Sequence, residues 1–385
     1  MMIGIPRERQ DGENRVAIIP SGVSTLLEGG YEVVVESSAG SAAHFTDDDY
    51  RHAGAIIADD SEALYRQATV ILKVRAPSAE EARLIRPEAT LVCLLDPWFN
   101  QPLLEQLAGQ SVRAFALDLV PRTTRAQSMD VLSAMAGISG YRAVLSGAMA
   151  LPRYFPMLMT AAGTIHPARV LVIGAGVAGL MAIATARRLG AVVEAYDLRP
   201  EVREQVESLG AEFIDIDVPE SDTTGDSGYA KAQSDAFYKA QQQQLADCVA
   251  RADLVITTAA VPGKTAPKLI TREMIHRMKS GSVIVDLVAD KGGNVDGTVL
   301  NQKVDVDGVT LVGHANHPSR VPVHASQLLT RNITAFLMNM TEDGRLVPSL
   351  DDDIVAATLV VQHGKVCHNV DAPARAETTE QEETA

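Results

Sequence analysis

Only three cysteines occur among the 385 residues, Cys93, Cys248 and Cys367, and their spacing forms neither a metal-binding cluster nor a disulfide framework. That scarcity points to a reducing compartment and to chemistry without a metal. Aromatic residues make up only 4 % of the chain, with a single tryptophan, Trp98. An aromatic-filled β-sandwich is therefore excluded. The abundant Ala, Gly and Val fit sheets packed closely under Ala-rich helices. No window of 18 uninterrupted apolar residues exists, so no membrane span is expected. No signal peptide is expected either, since Arg7, Glu8, Arg9, Glu13 and Arg15 interrupt the opening apolar runs. There is no basic patch, and the net charge is −15. Such a chain repels nucleic acid and anionic lipid, which leaves docking onto a membrane protein open.

The length is too great for one ordinary core and calls for two units of about 150–200 residues each. Short β-rich runs alternate with helical runs at 3–6, 20–28, 31–36, 55–57, 61–66, 70–74, 91–95, 103–108 and 112–116. This alternation predicts an α/β fold: two Rossmann-like domains with mostly parallel sheets and a cleft between them. Residues 1–128 with 325–385 form the expected first domain. Residues 129–164 are a connecting helix and linker, with the helix broken near Gly137 and Gly140 and a loop between Pro156 and Pro167. Residues 165–324 form the second domain, and 371–385 an acidic, disordered tail. Residues 217–244 read as a long polar, mobile loop, helical in its second half.

The most informative stretch is 169–197, RVLVIGAGVAGLMAIATARRLGAVVEAYD. A strand runs into Gly174, Ala175, Gly176, Val177 and Gly179, an Ala-rich helix follows, and a second strand ends at Asp197. Gly174 permits the tight turn, Gly176 lets a pyrophosphate approach the backbone, and Gly179 lets the helix sit close on the sheet. Asp197, 18 residues after Gly179, can accept both hydroxyls of an adenine ribose and repel a 2′-phosphate, which favours NAD over NADP. The competing reading is a merely tight strand–helix turn. Leu198 and Arg199 follow. Arg199 either faces a phosphate or pairs with Asp197. Thr258, Ala259, Ala260, Pro262 and Gly263 close another strand with small residues that suit a cofactor lying over them, or simply make a turn. Asp286, Gly313, His314 and Asn316 stand at further strand ends, where open α/β sheets place ligands. Trp98 reads as core at a turn or as an anchor for a partner.

Several stretches resemble one family. PRERQDGENRVAIIPSGV and LGAVVEAYDLRP are similar both to alanine dehydrogenases and to the NAD-binding subunit of proton-translocating NAD(P) transhydrogenases. RTTRAQSMDVLSAMAGISGYRAV, residues 122–144, resembles the transhydrogenases specifically. PMLMTAAGTIHPARVLVIGAGVAGL, VPGKTAPKLITREMIHRMKSGSVIVDL and HPSRVPVHAS support the same likeness. The resemblance implies that Arg122, Gln127, Asp130 and Ser133 lie beside the nicotinamide and that a loop carrying Tyr229 closes over it. It implies NAD(H) on this chain and NADP(H) on a partner domain or β subunit. It further implies a homodimer, docked on the cytoplasmic side of the inner membrane against a membrane-spanning proton-channel subunit. Chemically, Gln127 offers a donor and an acceptor to a carboxamide. On spacing alone, the competing reading of Arg122 is a surface ion pair with Asp130 or nearby carboxylates, and that of Ser133 a helix-surface hydroxyl.

Two other functions compete. An alanine dehydrogenase needs a carboxylate clamp and an imidazole acid. The resemblance places the clamp on Arg15 and Lys73, both present, and the His after residues 91–95. The chain there reads CLLDPW, without His. Asp96 is a poor substitute, being mostly ionised near neutral pH when exposed. Arg15 and Lys73 then become leftover ion pairs. The other alternative is an NAD-sensing module that regulates a membrane partner.

Overall fold

The computed structural model describes residues 1–215 and 235–367. Six strands come first: β1 (Met2–Ile5), β2 (Glu32–Glu36), β3 (Ile56–Ala58), β4 (Val70–Arg75), β5 (Thr90–Leu94) and β6 (Arg113–Ala116). They are parallel and lie in the order β3-β2-β1-β4-β5-β6. After a hairpin, β7 (Leu158–Thr160) and β8 (Gly163–Ile165), a second sheet forms from β9 (Arg169–Ile173), β10 (Val192–Tyr196), β11 (Glu212–Phe213), β12 (Leu254–Thr257), β13 (Val283–Asp286), β14 (Lys303–Val306) and β15 (Val309–Val312). Its order is β11-β10-β9-β12-β13-β15-β14, parallel except for β14. A short ribbon, β16 (Thr341–Glu342) and β17 (Arg345–Leu346), follows. Then β18 (Leu359–Gln362) and β19 (Lys365–Val366) return to extend the first sheet antiparallel beside β6.

Both sheets reverse their winding at the centre, between β1 and β4 and between β9 and β12, which is where doubly wound sheets bind ligands. Central strands such as β5, β12 and β13 are buried along their whole length. That is why they read as unbroken apolar runs rather than alternating ones. Each sheet carries apolar core on both faces. Helix Pro20–Glu28 has Pro at its first turn, where the missing N–H has no intrahelical partner to lose. Ser61–Gln67 and Ala79–Leu84 start on the side-chain caps Asp60 and Ser78.

The structure corrects three local expectations. The connecting helix Val131–Ala150 is continuous. Gly140 and Gly147 mark close packing rather than a break: a Cβ on Gly140 would lie 2.0 Å from the Ala178 carbonyl oxygen, and one on Gly147 would lie 2.6 Å from Leu254, while one on Gly137 would meet nothing within 4 Å. Between Pro156 and Pro167 stands the β7–β8 hairpin rather than a plain loop. Strand β14 has no sequence signal, because as a half-exposed antiparallel edge it lacks the apolar run of the central strands. Helix Asp235–Arg251 occupies the second half of the polar segment. Tyr229 and the acidic tail 371–385 lie outside the described residues.

Candidate functional site

The glycine turn at the carboxyl end of β9 has the sterics that its sequence implies. Gly174 sits at φ +96°, and a Cβ there would meet the Thr258 hydroxyl at 2.4 Å. A Cβ on Gly179 would be 1.8 Å from the Gly174 carbonyl oxygen, so the helix Val177–Arg188 packs on bare backbone. Around Gly176, by contrast, a Cβ would meet nothing within 4 Å. The protein does not need a glycine there for its own packing, and the open space lies at the amides that start the helix. Ala175 and Val177 complete the turn, Ala175 buried and Val177 exposed at the helix start.

Asp197 follows β10 and is bound on both oxygens. Oδ2 accepts from the Ala175 N–H at 2.6 Å and from Arg199 Nη2 at 3.1 Å. Oδ1 accepts from the Arg199 N–H at 2.9 Å and from Arg199 Nε at 3.0 Å. Arg199 is thus the ion-pair partner of Asp197, the second of its two readings. Leu198 packs half-buried against the core of the second sheet. Thr258 Oγ donates to the Gly174 carbonyl at 3.0 Å, and Asn294 brackets Ala259, accepting from its N–H at 3.1 Å and donating to its carbonyl at 2.9 Å. Asn294, fully buried, escapes sequence reasoning because its partners lie 27 and 35 residues away. Asp286 is not a ligand position. It is fully buried and spent on the Thr257 hydroxyl and the Val288 and Val295 amides.

A cleft of about 1510 Å³ runs between the carboxyl ends of the two sheets. Arg122 and Asp130 line it from the first sheet, Ala260, Pro262 and Gly263 from the second, and Asn316 beside the returning segment. Trp98 is also in this wall, half-exposed rather than core. Asp130 caps the connecting helix: Oδ1 accepts from the Ser133 N–H at 2.9 Å and Oδ2 from the Ser133 hydroxyl at 2.6 Å. Gln127 is exposed in the 3-10 turn Gln127–Met129, on the same loop as the exposed Arg122. Arg125, unremarkable in the sequence, ties this loop down. Its guanidinium forms a bidentate pair with Asp352 at 2.8 and 3.0 Å and also meets Asp353. Asn332 Nδ2 donates to the Ser128 carbonyl at 2.7 Å.

The two cations of the alanine-dehydrogenase reading are already neutralised. Arg15, buried, is held by both oxygens of Glu13 at 2.7 and 2.6 Å and donates to Asn316 Oδ1 at 3.1 Å. Burial alone would raise the Glu13 carboxyl, but Arg15 and Arg75 outweigh it and hold the pKa at about 2. Lys73, 1 % exposed, lies 2.9 Å from Glu81 and 3.7 Å from Glu8. Burial opposes its charge, yet the two carboxylates prevail and raise its pKa.

Residues 4–139 match the family model described as "Alanine dehydrogenase/PNT, N-terminal domain", and residues 143–369 match "Alanine dehydrogenase/PNT, C-terminal domain". The chain belongs to the alanine dehydrogenase/PNT family. Within this family it is 47 % identical over 378 residues to an NAD(P) transhydrogenase alpha-subunit chain of Rhodospirillum rubrum, covering 96 % of this chain and 98 % of that one. Identity to the alanine dehydrogenase of Halomonas elongata is 32 %, over 97 % and 96 % of the two chains. Among solved structures of the family, the transhydrogenase from Sinorhizobium meliloti superposes with a TM-score of 0.86 at 43 % identity, covering 95 % of this chain and all of that one. An L-alanine dehydrogenase superposes at 0.81 with 30 % identity, over 96 % and 97 % of the two chains.

Acid stability follows from one buried group in the segment that leads back to the first sheet. His317 is 2 % exposed. Burial first, and then the charges of Arg320, His314 and Arg142, lower its pKa from 6.5 to about 4. Above pH 6.5 the group is neutral folded and unfolded. Between pH 6.5 and about 4 only the unfolded chain takes the proton, so stability falls as the pH falls. The full loss is about 3 kcal/mol. Glu13, depressed from 4.5 to about 2, loses its contribution in a lower window, below pH 4.5. Urea melts from pH 7 down to about pH 3 check this: His317→Leu removes the part of the acid limb above about pH 4.5 and leaves the part below it. An unchanged limb in that variant refutes the assignment.

Proposed function

We propose that this chain is the NAD(H)-binding component of a proton-translocating NAD(P) transhydrogenase. The observation that carries the reading is the pairing of a dinucleotide turn open at Gly176 with the engagement, by neighbouring carboxylates, of the two cations that a substrate-carboxylate clamp would use. Arg15 and Lys73 are committed to carboxylates, and no His follows β5. NADH, when bound, supplies the hydride, which leaves the nicotinamide ring without needing an acid or base from the protein. The chain's own work is to bind, orient and exclude water. The amides that open helix Val177–Arg188 face the pyrophosphate and Asp197 the adenine ribose. Ala259, Ala260 and Pro262 underlie the ring end, and Gly263, against the Trp98 indole, closes that end of the turn. Gln127 takes the carboxamide, while Arg122, Asp130 and Ser133 order the loop beside it, and Tyr229 belongs to the closing segment. NADP(H) sits on a partner domain or β subunit, and a membrane-spanning partner carries the proton. Two copies of this chain form the working unit, peripheral to the membrane on its cytoplasmic side. No helix among the described residues is long and apolar enough to cross a bilayer.

Mixing experiments test the reading. The isolated chain binds NADH, exchanges hydride with NADP only once the NADP-binding partner is added, and turns over L-alanine negligibly. Appreciable alanine-dependent NADH formation by the isolated chain overturns the transhydrogenase reading in favour of a dehydrogenase. NADH binding with no hydride exchange in the reconstituted complex favours a sensor.

A further inference from the structure

We propose that the loop Asp96–Asn100 is a strap that holds the cleft closed, with Asp96, Phe99 and Lys291 as its positioning residues. The loop leaves the end of β5 on the first sheet. Lys291 lies beyond the end of β13 on the second, 195 residues away in sequence. The Lys291 ammonium meets Asp96 Oδ2 and stands 4.6 Å from the centroid of the Phe99 ring. One cation is therefore gripped by a carboxylate and by an aromatic face at once. Beside it the indole of Trp98 covers Gly263. A Cβ on Gly263, which sits at φ +67°, would strike the ring at 2.9–3.0 Å. Charge and shape thus join the two walls at adjacent points.

The loop is built to present these groups. Asp96 adopts φ +47°, a left-handed conformation that Asp tolerates better than most residues with a side chain. It is held there by Asp118, whose Oδ2 accepts from the Leu95 N–H at 2.6 Å and the Asp96 N–H at 3.0 Å. Asn100 Nδ2 donates back to the Leu95 carbonyl at 2.6 Å, closing the turn. The same loop forms part of the wall between two spaces, together with Gln10 and Ala76. Phe99 and Asn100 line both the cleft and a separate cavity of about 630 Å³ that reaches Lys73. Lifting the strap widens the cleft.

The grip is also releasable. The Asp96 and Lys291 side chains are each 35 % exposed, so water and salt reach the pair, and such pairs are weak and screened. A permanent joint would be buried like the Arg15–Glu13 pair.

Trp98 is the only tryptophan, so its emission and its quenching by acrylamide report the seat on Gly263 directly, with no ligand present. In Lys291→Met the quenching constant is expected to rise about fivefold at low salt. The wild type should approach that value as KCl is raised from about 0.02 to about 0.5 M, while the variant stays flat. Lys291→Arg keeps the charge and the stacking and should restore wild-type quenching, which a loss of mere bulk would not explain. Asp96→Asn removes the ion pair from the other wall and should give an intermediate value even if Lys291→Met folds poorly. Wild-type quenching and salt response in both Lys291→Met and Asp96→Asn overturn the proposal.

Discussion

Gly176→Ala is expected to bind NADH about 100-fold more weakly, a loss of about 2.7 kcal/mol, while its unfolding free energy stays within about 1 kcal/mol of wild type. Gly179→Ala, three residues on, is expected to lose about 2–3 kcal/mol of stability outright, with NADH binding lost as a consequence. The contrast rests on what a methyl group meets. At Gly176 it meets no protein atom within 4 Å and obstructs only a ligand. At Gly179 it meets the Gly174 carbonyl oxygen at 1.8 Å, backbone that cannot rotate away. Calorimetric titration with NADH beside chemical denaturation of the same samples separates the two outcomes. Full NADH affinity in a folded Gly176→Ala protein would remove the pyrophosphate from this turn and with it the main support of the functional reading.

The second large effect concerns which nucleotide is accepted. Asp197→Ser should weaken NADH by about 30-fold, the worth of hydrogen bonds to a charged group at about 2 kcal/mol. It should also admit NADPH weakly, for two reasons. The carboxylate that repels a 2′-phosphate is gone, and the Arg199 guanidinium loses the two bonds it makes to the Asp197 oxygens, which leaves a cation two residues along. Arg199 makes the site subtler than an acid waiting for a sugar. Its two side-chain bonds occupy lone pairs that the ribose hydroxyls must take, so ribose binding and the Arg199 pair compete. Asp197 also accepts from the Ala175 amide, which gives it a role in shaping the turn. Titrations with both nucleotides tell these roles apart. An equal loss of NADH and NADPH binding, accompanied by a lower melting temperature, would leave Asp197 with only the turn to hold.

The mainly apolar runs Val70–Val74, Leu91–Leu95, Leu254–Thr257 and Val283–Asp286 can be placed from the sequence within a residue or so, because strands buried on both faces carry apolar side chains at nearly every position, the exceptions being paired groups such as Lys73 and Asp286. The glycine turn is legible for a similar reason. Backbone that must bend at positive φ, or be approached to within a methyl radius, accepts one residue type. The candidate loop is legible only by likeness. Nothing in the spacing of Asp130 and Ser133 separates a helix cap from a site residue, and the structure makes them a cap pair whose Asp130 lies in a cleft wall.

Local backbone sterics and the pattern of apolar side chains thus specified two doubly wound sheets and the turn at β9, since these constraints act over a few tens of residues and leave a mark in each stretch. The partnerships across the chain left no such mark. Arg125 finds Asp352 227 residues on, Lys291 finds Asp96 195 residues back, and Trp98 settles on Gly263 rather than in the core. With 22 % of the residues charged, each cation has many carboxylates to choose from. Only the packing of the returning segment against the first sheet, and of one sheet's carboxyl edge against the other's, brings a particular pair within reach.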